Sequence, residues 1–136
     1  MENSKAVIDT NVLIYLYDQS SNHKRTIAEK LVSDGPFISG QVISEFLNTT
    51  RRLLSLPKRQ ILDKCIQLID NCRVMPIEKS TLVASLFLIE KYDFQLFDSL
   101  IGASALESGC KTAYSEDMQH ELVVEEGLKI VNPFIL

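Results

Sequence analysis

The chain has 136 residues, 46% hydrophobic and 24% charged, with five glycines and four prolines; this balance fits one globular domain over residues 1–136 and excludes disordered, collagenous and disulfide-stapled classes. A chain of this length buries roughly 65 to 70% of its unfolded surface, enough core to fold without a structural metal. A net charge of −4 excludes a uniformly basic nucleic-acid binder, and no apolar run approaches the roughly 18 to 20 residues of a membrane span.

Lys5 to Ile8 predicts a short strand, Asp9-Thr10-Asn11 a turn, and Val12, Leu13, Tyr15, Leu16 and Tyr17 the spacing of a helix. Glu2 at the start and Asp9 and Asn11 within the first apolar stretch interrupt any secretory core, so the expectation is a cytoplasmic protein without membrane attachment. Asn22 to Asp34 predicts a second helix, stopped by Gly35-Pro36, and Phe37-Ile38-Ser39 a second strand. Gln41 to Leu54 sets an apolar face (Val42, Ile43, Phe46, Leu47, Leu53, Leu54) against a polar stripe of Gln41, Glu45, Asn48, Thr49 and Arg52, an amphipathic helix. Lys58 to Cys72 predicts another helix and Arg73 to Pro76 a third strand. Thr81 to Tyr92 predicts a helix turning Leu82, Val83, Leu86, Phe87 and Ile89 toward the core. Asp98 to Ser108 follows as a helix with Gly109 as its C-cap, then a fourth strand at Lys111 to Tyr114 and a fifth at Ile130-Val131. Short strands alternating with helices predict a parallel sheet covered on both faces, a single-domain three-layer α/β/α sandwich.

Charge is unevenly distributed. From Lys24 to Lys64 eight basic residues stand against four acidic ones, whereas from Glu90 to Glu126 nine acids meet only Lys91 and Lys111. That asymmetry suits a basic edge for a polyanion beside an acidic centre that binds cations, although charge alone favours a plain solvated helical surface. Cys65, Cys72 and Cys110 lack a Cys-x-x-Cys spacing and read as buried thiols, the first two on one apolar helix face. His23 and His120 have no ligand-spaced partner and read as surface residues without a zinc role.

Ligands of parallel α/β sheets bind outside the carboxyl ends of strands. Asp9 directly follows the first strand, Asp117 follows the fourth after Ser115-Glu116, Asp98 opens a helix, and Glu45 projects from a polar stripe near its helix's start. Singly, Asp9 and Asp98 also suit helix N-caps, Glu45 a solvated face, and Asp117 a turn. Jointly, four clustered carboxylates repel one another unless cations neutralise them, and an acid set without His or Cys suits Mg²⁺ or Mn²⁺.

Val7-Ile8-Asp9-Thr10-Asn11-Val12-Leu13, Ile43-Ser44-Glu45-Phe46, Phe97-Asp98-Ser99-Leu100-Ile101 and Tyr114-Ser115-Glu116-Asp117-Met118 resemble, in order, the successive motifs of the PIN domain. Size and the Ser-Glu-Asp-Met-Gln segment resemble the VapC-type toxins within that family. The resemblance implies a metal-dependent ribonuclease whose four acids are Asp9, Glu45, Asp98 and Asp117, with Mg²⁺ or Mn²⁺ as cofactor. It also implies that Thr10, Asn11 and Ser115 orient the acids, and that the partners are a tRNA or ribosomal RNA substrate, a small antitoxin and a second copy of the chain. Glu116 is left a minor, accessory role, because neighbours in an extended segment point to opposite sides. Arg51, Arg52, Lys58 and Arg59 are the candidates for RNA phosphate contact, against a plain surface-charge reading. The alternatives are an RNA-processing PIN nuclease without an antitoxin and a non-catalytic RNA- or protein-binding PIN-like module. A dehalogenase-type phosphatase is disfavoured because the place of its general acid is taken by Asn11.

Overall fold

The computed structural model describes residues 5–125 and 127–135. Six short strands, β1 (Ala6–Ile8), β2 (Phe37–Ser39), β3 (Arg73–Met75), β4 (Thr112–Tyr114), β5 (Val123–Val124) and β6 (Leu128–Val131), form one sheet in the order β3-β2-β1-β4-β6-β5. All neighbouring pairs are parallel except β5 with β6. The expected parallel sheet is therefore mostly parallel. Its fifth strand begins two residues earlier, at Leu128, and is preceded by an antiparallel edge strand at Val123–Val124 that the sequence reading does not contain. Two residues carry no resolvable period, and pairing with β6 alone makes this segment a strand.

Chain order steps from β1 outward through β2 to β3 on one side and through β4 to β6 on the other, so the order reverses between β1 and β4. Ile8 lies opposite Tyr114 across that boundary. The residues that follow, Asp9 and Ser115, leave the sheet side by side, with Asp9 N donating to Tyr114 O at 2.9 Å. A crevice at such a reversal is where open α/β sheets place ligands.

Among the described residues six α-helices lie on the sheet or on the helices that cover it: α1 (Thr10–Leu13), followed by a 3-10 turn at Ile14–Leu16, α2 (Asn22–Ser33), α3 (Gly40–Leu54), α4 (Lys58–Ile69), α5 (Lys79–Tyr92) and α6 (Leu96–Glu107). Among the described residues no helix is long and apolar enough to cross a membrane. Val7, Ile8, Ile38, Ala113 and Ile130 from the strands form a common core with Leu13, Phe46, Leu88 and Ile101 from the helices. The boundaries refine the sequence reading. Helix α4 stops at Ile69, so Cys72 lies beyond it and is half-buried, whereas Cys65 and Cys110 are buried. His23 is exposed, but His120 is half-buried and its Nδ1 accepts from Asn132 N at 2.9 Å.

The apolar side chains of α5 depart most from expectation. Leu82, Val83, Leu86 and Phe87 are exposed, between 48% and 62%, and Ile89 is half-buried, while Thr81, Ser85 and Leu88 are buried. Helix α5 lies on α6, and α6 packs on β1, β2 and β4. Small and polar groups contact across the two helices: Ser85 Oγ donates to Ser99 O at 3.4 Å and Thr81 Oγ1 to Glu107 Oε1 at 2.6 Å. A Cβ on Gly102 would meet Leu88 Cδ1 at 3.0 Å, so the glycine permits the close approach.

Candidate active site

At the β1/β4 boundary a cavity of about 510 Å³ opens on the ends of the strands. Asp9, Glu45, Asp98 and Asp117, brought from four separate parts of the chain, all line it. Asp9 combines two roles that the sequence presents as alternatives. It is the N-cap of α1, its Oδ1 accepting from Thr10 N at 2.7 Å, while its Oδ2 accepts from Ser115 Oγ at 3.0 Å and Asn11 Nδ2 at 3.3 Å. Asp98 is not a cap. Helix α6 begins two residues earlier than expected, with Gln95 at its N-cap, and Asp98 sits in the first turn, where a carboxylate gains from the helix N-terminus. Glu45 is half-buried, its Oε1 accepting from Thr10 Oγ1 at 3.0 Å and from Gln41 Nε2 at 3.1 Å, so one oxygen is tethered from two sides.

Few cations offset these acids. Burial pushes the Asp9 carboxyl up to about 6; hydrogen bonds from Ser115 and Thr10 oppose that rise, and the charges of Asp98 and Glu45 add to it. Asp98 is also raised, first by burial and then by Asp117 and Glu45. Arg52 is the one basic residue that lines the cavity among the described residues. The donor set is entirely carboxylate and its members repel one another, which suits a hard divalent cation. No three His, Cys, Asp or Glu side chains among the described residues are already gathered into a chelate, so the acids share a cavity without forming a closed cage. Asp9, Glu45, Asp98 and Asp117 fit such an ion in the chemistry of their donors and line one cavity.

Ser115 is fully buried; besides bonding Asp9, its Oγ accepts from Met118 N at 3.3 Å, turning the chain immediately after β4. That turn corrects the alternation argument for Glu116. The segment is not an extended strand, and Glu116 and Asp117 both line the cavity. Glu116 nevertheless differs from its neighbour, since Lys24 Nζ donates to its Oε2 at 2.5 Å and Tyr15 Oη to its Oε1 at 2.8 Å. Asn11 Oδ1 accepts from Glu116 N at 3.0 Å.

Of the four basic candidates, Arg52 alone reaches the cavity; Arg51 bonds Asn48 on α3 and, with Lys58, lines a separate groove over Leu47, Ile61 and Leu62, and Arg59 lies further along α4. The entire polar stripe Gln41, Glu45, Asn48, Thr49 and Arg52 faces the cavity, so helical periodicity already marked Gln41, Asn48 and Thr49, which the motifs passed over. Tyr15 and Lys24 carried no such signal, because one sits at an apolar helical position and the other on a charged helix.

A family model described as "PIN domain" matches residues 6–125. No curated protein matches the chain in sequence. Among solved structures, the chain is similar to a toxin-antitoxin complex from Klebsiella pneumoniae, with a TM-score of 0.72 and 21% identity over 96% of this chain and 98% of that one. It is similar to a Mycobacterium tuberculosis VapC described as a sarcin-ricin loop cleaving toxin, with a TM-score of 0.67 and 18% identity over 83% and 90% of the two chains. A DNA-bound VapBC from Salmonella typhimurium gives a TM-score of 0.67 and 19% identity over 94% and 97%.

Proposed function

The chain belongs to the PIN domain family, and from that premise we propose that it is a Mg²⁺- or Mn²⁺-dependent endoribonuclease, the toxin of a toxin-antitoxin pair, acting in the cytoplasm on tRNA or ribosomal RNA. The observation that carries this reading is the convergence of Asp9, Glu45, Asp98 and Asp117 on one cavity at the β1/β4 reversal. The toxin assignment is supported by structural neighbours described as a toxin-antitoxin complex and as a sarcin-ricin loop cleaving toxin. A small antitoxin and a second copy of the chain are its proposed partners.

Asp9, Glu45, Asp98 and Asp117 would hold a divalent cation, which would supply Lewis-acid activation of water and charge neutralisation at the scissile phosphate. The residues provide the rest. Asp9 is held by Ser115, Asn11 and the Thr10 amide, and Glu45 by Thr10 and Gln41, so both carboxylates are oriented before any ion or RNA arrives. Arg52 lines the cavity wall, where it would meet an RNA phosphate. Attack of water on phosphorus leaves a 5′-phosphate and a 3′-hydroxyl without using the 2′-hydroxyl, so preference for RNA rests on substrate shape.

Incubating the purified protein with total cellular RNA in Mg²⁺ or Mn²⁺, beside a chelator control and Asp98→Asn, tests the reading. Discrete new 5′ ends, lost with chelator and in the variant, are expected. Intact RNA under both metals removes the nuclease assignment. Growth arrest on expression, relieved by a small neighbouring gene product, separates a toxin from an RNA-processing nuclease.

A further inference from the structure

Two adjacent acids leave β4 into the cavity, and their surroundings differ. Both Glu116 carboxylate oxygens are occupied, Oε1 by Tyr15 Oη and Oε2 by Lys24 Nζ, while its backbone N donates to Asn11 Oδ1 and its backbone O accepts from Asn132 Nδ2 at 3.4 Å. Asp117 makes none of these contacts. Lys24 is itself constrained: its Nζ also donates to Tyr15 Oη at 3.2 Å and lies 4.9 Å and 5.3 Å from the ring centroids of Tyr15 and Phe134, which pack edge to face at 5.1 Å. An ordinary surface lysine pair contributes little because two flexible chains must be ordered. Here an aromatic cradle and a second hydrogen bond hold the ammonium in place.

The network continues to the acids. Asn11, which holds the Glu116 amide, also reaches Asp9 Oδ2 at 3.3 Å and Ser115 Oγ at 3.4 Å through Nδ2. We propose that Lys24 is a positioning residue that withdraws Glu116 from the cation-binding set and fixes the segment from Ser115 to Asp117, so that Asp117 is the acid β4 presents. This inference rests on the nuclease reading above. Lys24 does not line the cavity itself, so it acts through Glu116 and Asn11.

The test compares wild type with Lys24→Met, Glu116→Gln and the double variant in the full chain. Mn²⁺ binding is measured by calorimetry without RNA, cleavage at saturating Mn²⁺, and thermal unfolding without metal. Lys24→Met frees a carboxylate beside the cavity, so Mn²⁺ binding tightens about three- to fivefold. In the same variant kcat falls about tenfold with KM within about twofold, as expected for a misplaced supporting group. Adding Glu116→Gln to Lys24→Met returns Mn²⁺ affinity to the wild-type value, because the charge that needed withdrawing is gone, while kcat stays about three- to tenfold down, because the anchor of the segment is still missing.

A Lys24→Met protein that melts earlier with Mn²⁺ affinity and kcat unchanged makes the network merely structural and overturns the proposal. A raised KM with unchanged Mn²⁺ affinity makes Lys24 an RNA contact and overturns it too. If Lys24→Met fails to fold, the proposal is decided by Glu116→Gln alone, which must keep wild-type Mn²⁺ affinity; weakening of about tenfold would place Glu116 inside the cation-binding set. Wild type that neither binds Mn²⁺ nor cuts RNA removes the nuclease reading, and this inference with it.

Discussion

Glu116 and Asp98 line the same cavity, yet the protein treats the two sides differently. On the Glu116 side an ammonium and a phenol satisfy the two carboxylate oxygens, and the bond to Glu116 raises the affinity of Lys24 for its proton. On the Asp9 and Asp98 side, burial and neighbouring acids push both carboxyls upward, and the hydrogen bonds to Asp9 oppose that only in part. One side is complete as folded. The other keeps its carboxylates close together with little to neutralise them, the arrangement on which the proposed cation site rests.

Breaking the uncompensated side has the largest expected effect. Asp98→Asn lowers RNA cleavage by a factor on the order of 10²–10³ while leaving thermal stability equal or higher, because it removes the burial of a charge and its repulsion from Asp117 and Glu45, which outweigh the gain from the helix N-terminus. Cleavage rates and unfolding curves of the same preparation check both halves; a destabilised variant would mean the carboxylate serves the fold.

The pH dependence of the metal-free protein comes next. Folded Asp9 keeps its proton up to about pH 6, whereas the unfolded chain releases it near 3.8. Between those values the folded state binds more protons, so Asp9's contribution to stability falls as pH rises through the window and is constant above it. The loss reaches up to about 3 kcal/mol. Denaturation in chelator at pH 4.5 and 7 should show this decline in wild type relative to Asp9→Asn, and Mg²⁺ at pH 7 should restore the wild-type value. Equal pH slopes in the two proteins would contradict the assignment.

On the compensated side, Glu116→Gln costs about 1 kcal/mol of stability and less than a tenfold change in cleavage. A loss as large as that of Asp98→Asn would erase the distinction between the two sides. The smallest effect is expected at the basic wall. Arg52→Ala weakens RNA binding a few-fold and lowers the salt slope by about 1, with Lys58→Ala changing it less, as binding titrations at several salt concentrations would report.

Much of the frame is legible in local pattern. Strand, turn and helix alternate nearly where expected, because β-branched runs and helical stripes are set over a few residues, and the stripe from Gln41 to Arg52 announces the face that lines the cavity. Helix α5 was not legible. With leucine, valine and phenylalanine around most of its circumference it has no period that selects a buried face, and its place on α6, not on the sheet, buries Thr81 and Ser85 in preference to Phe87. The helical start at Leu96 likewise moves Asp98 from a cap into the first turn, since a terminus depends on packing as much as on capping residues.

By itself the chain's order of residues determined that acids follow β1 and β4 and that a parallel α/β sheet carries them, because these are consequences of local periodicity and short connections. Only the tertiary structure decided which acids stay uncompensated. Glu116 lies 101 residues from Tyr15 and 92 from Lys24, and the three meet through the end of β4, the turn after α1 and α2. Whether a charge is neutralised depends on what lies a few ångströms away in space, where sequence distance carries no weight.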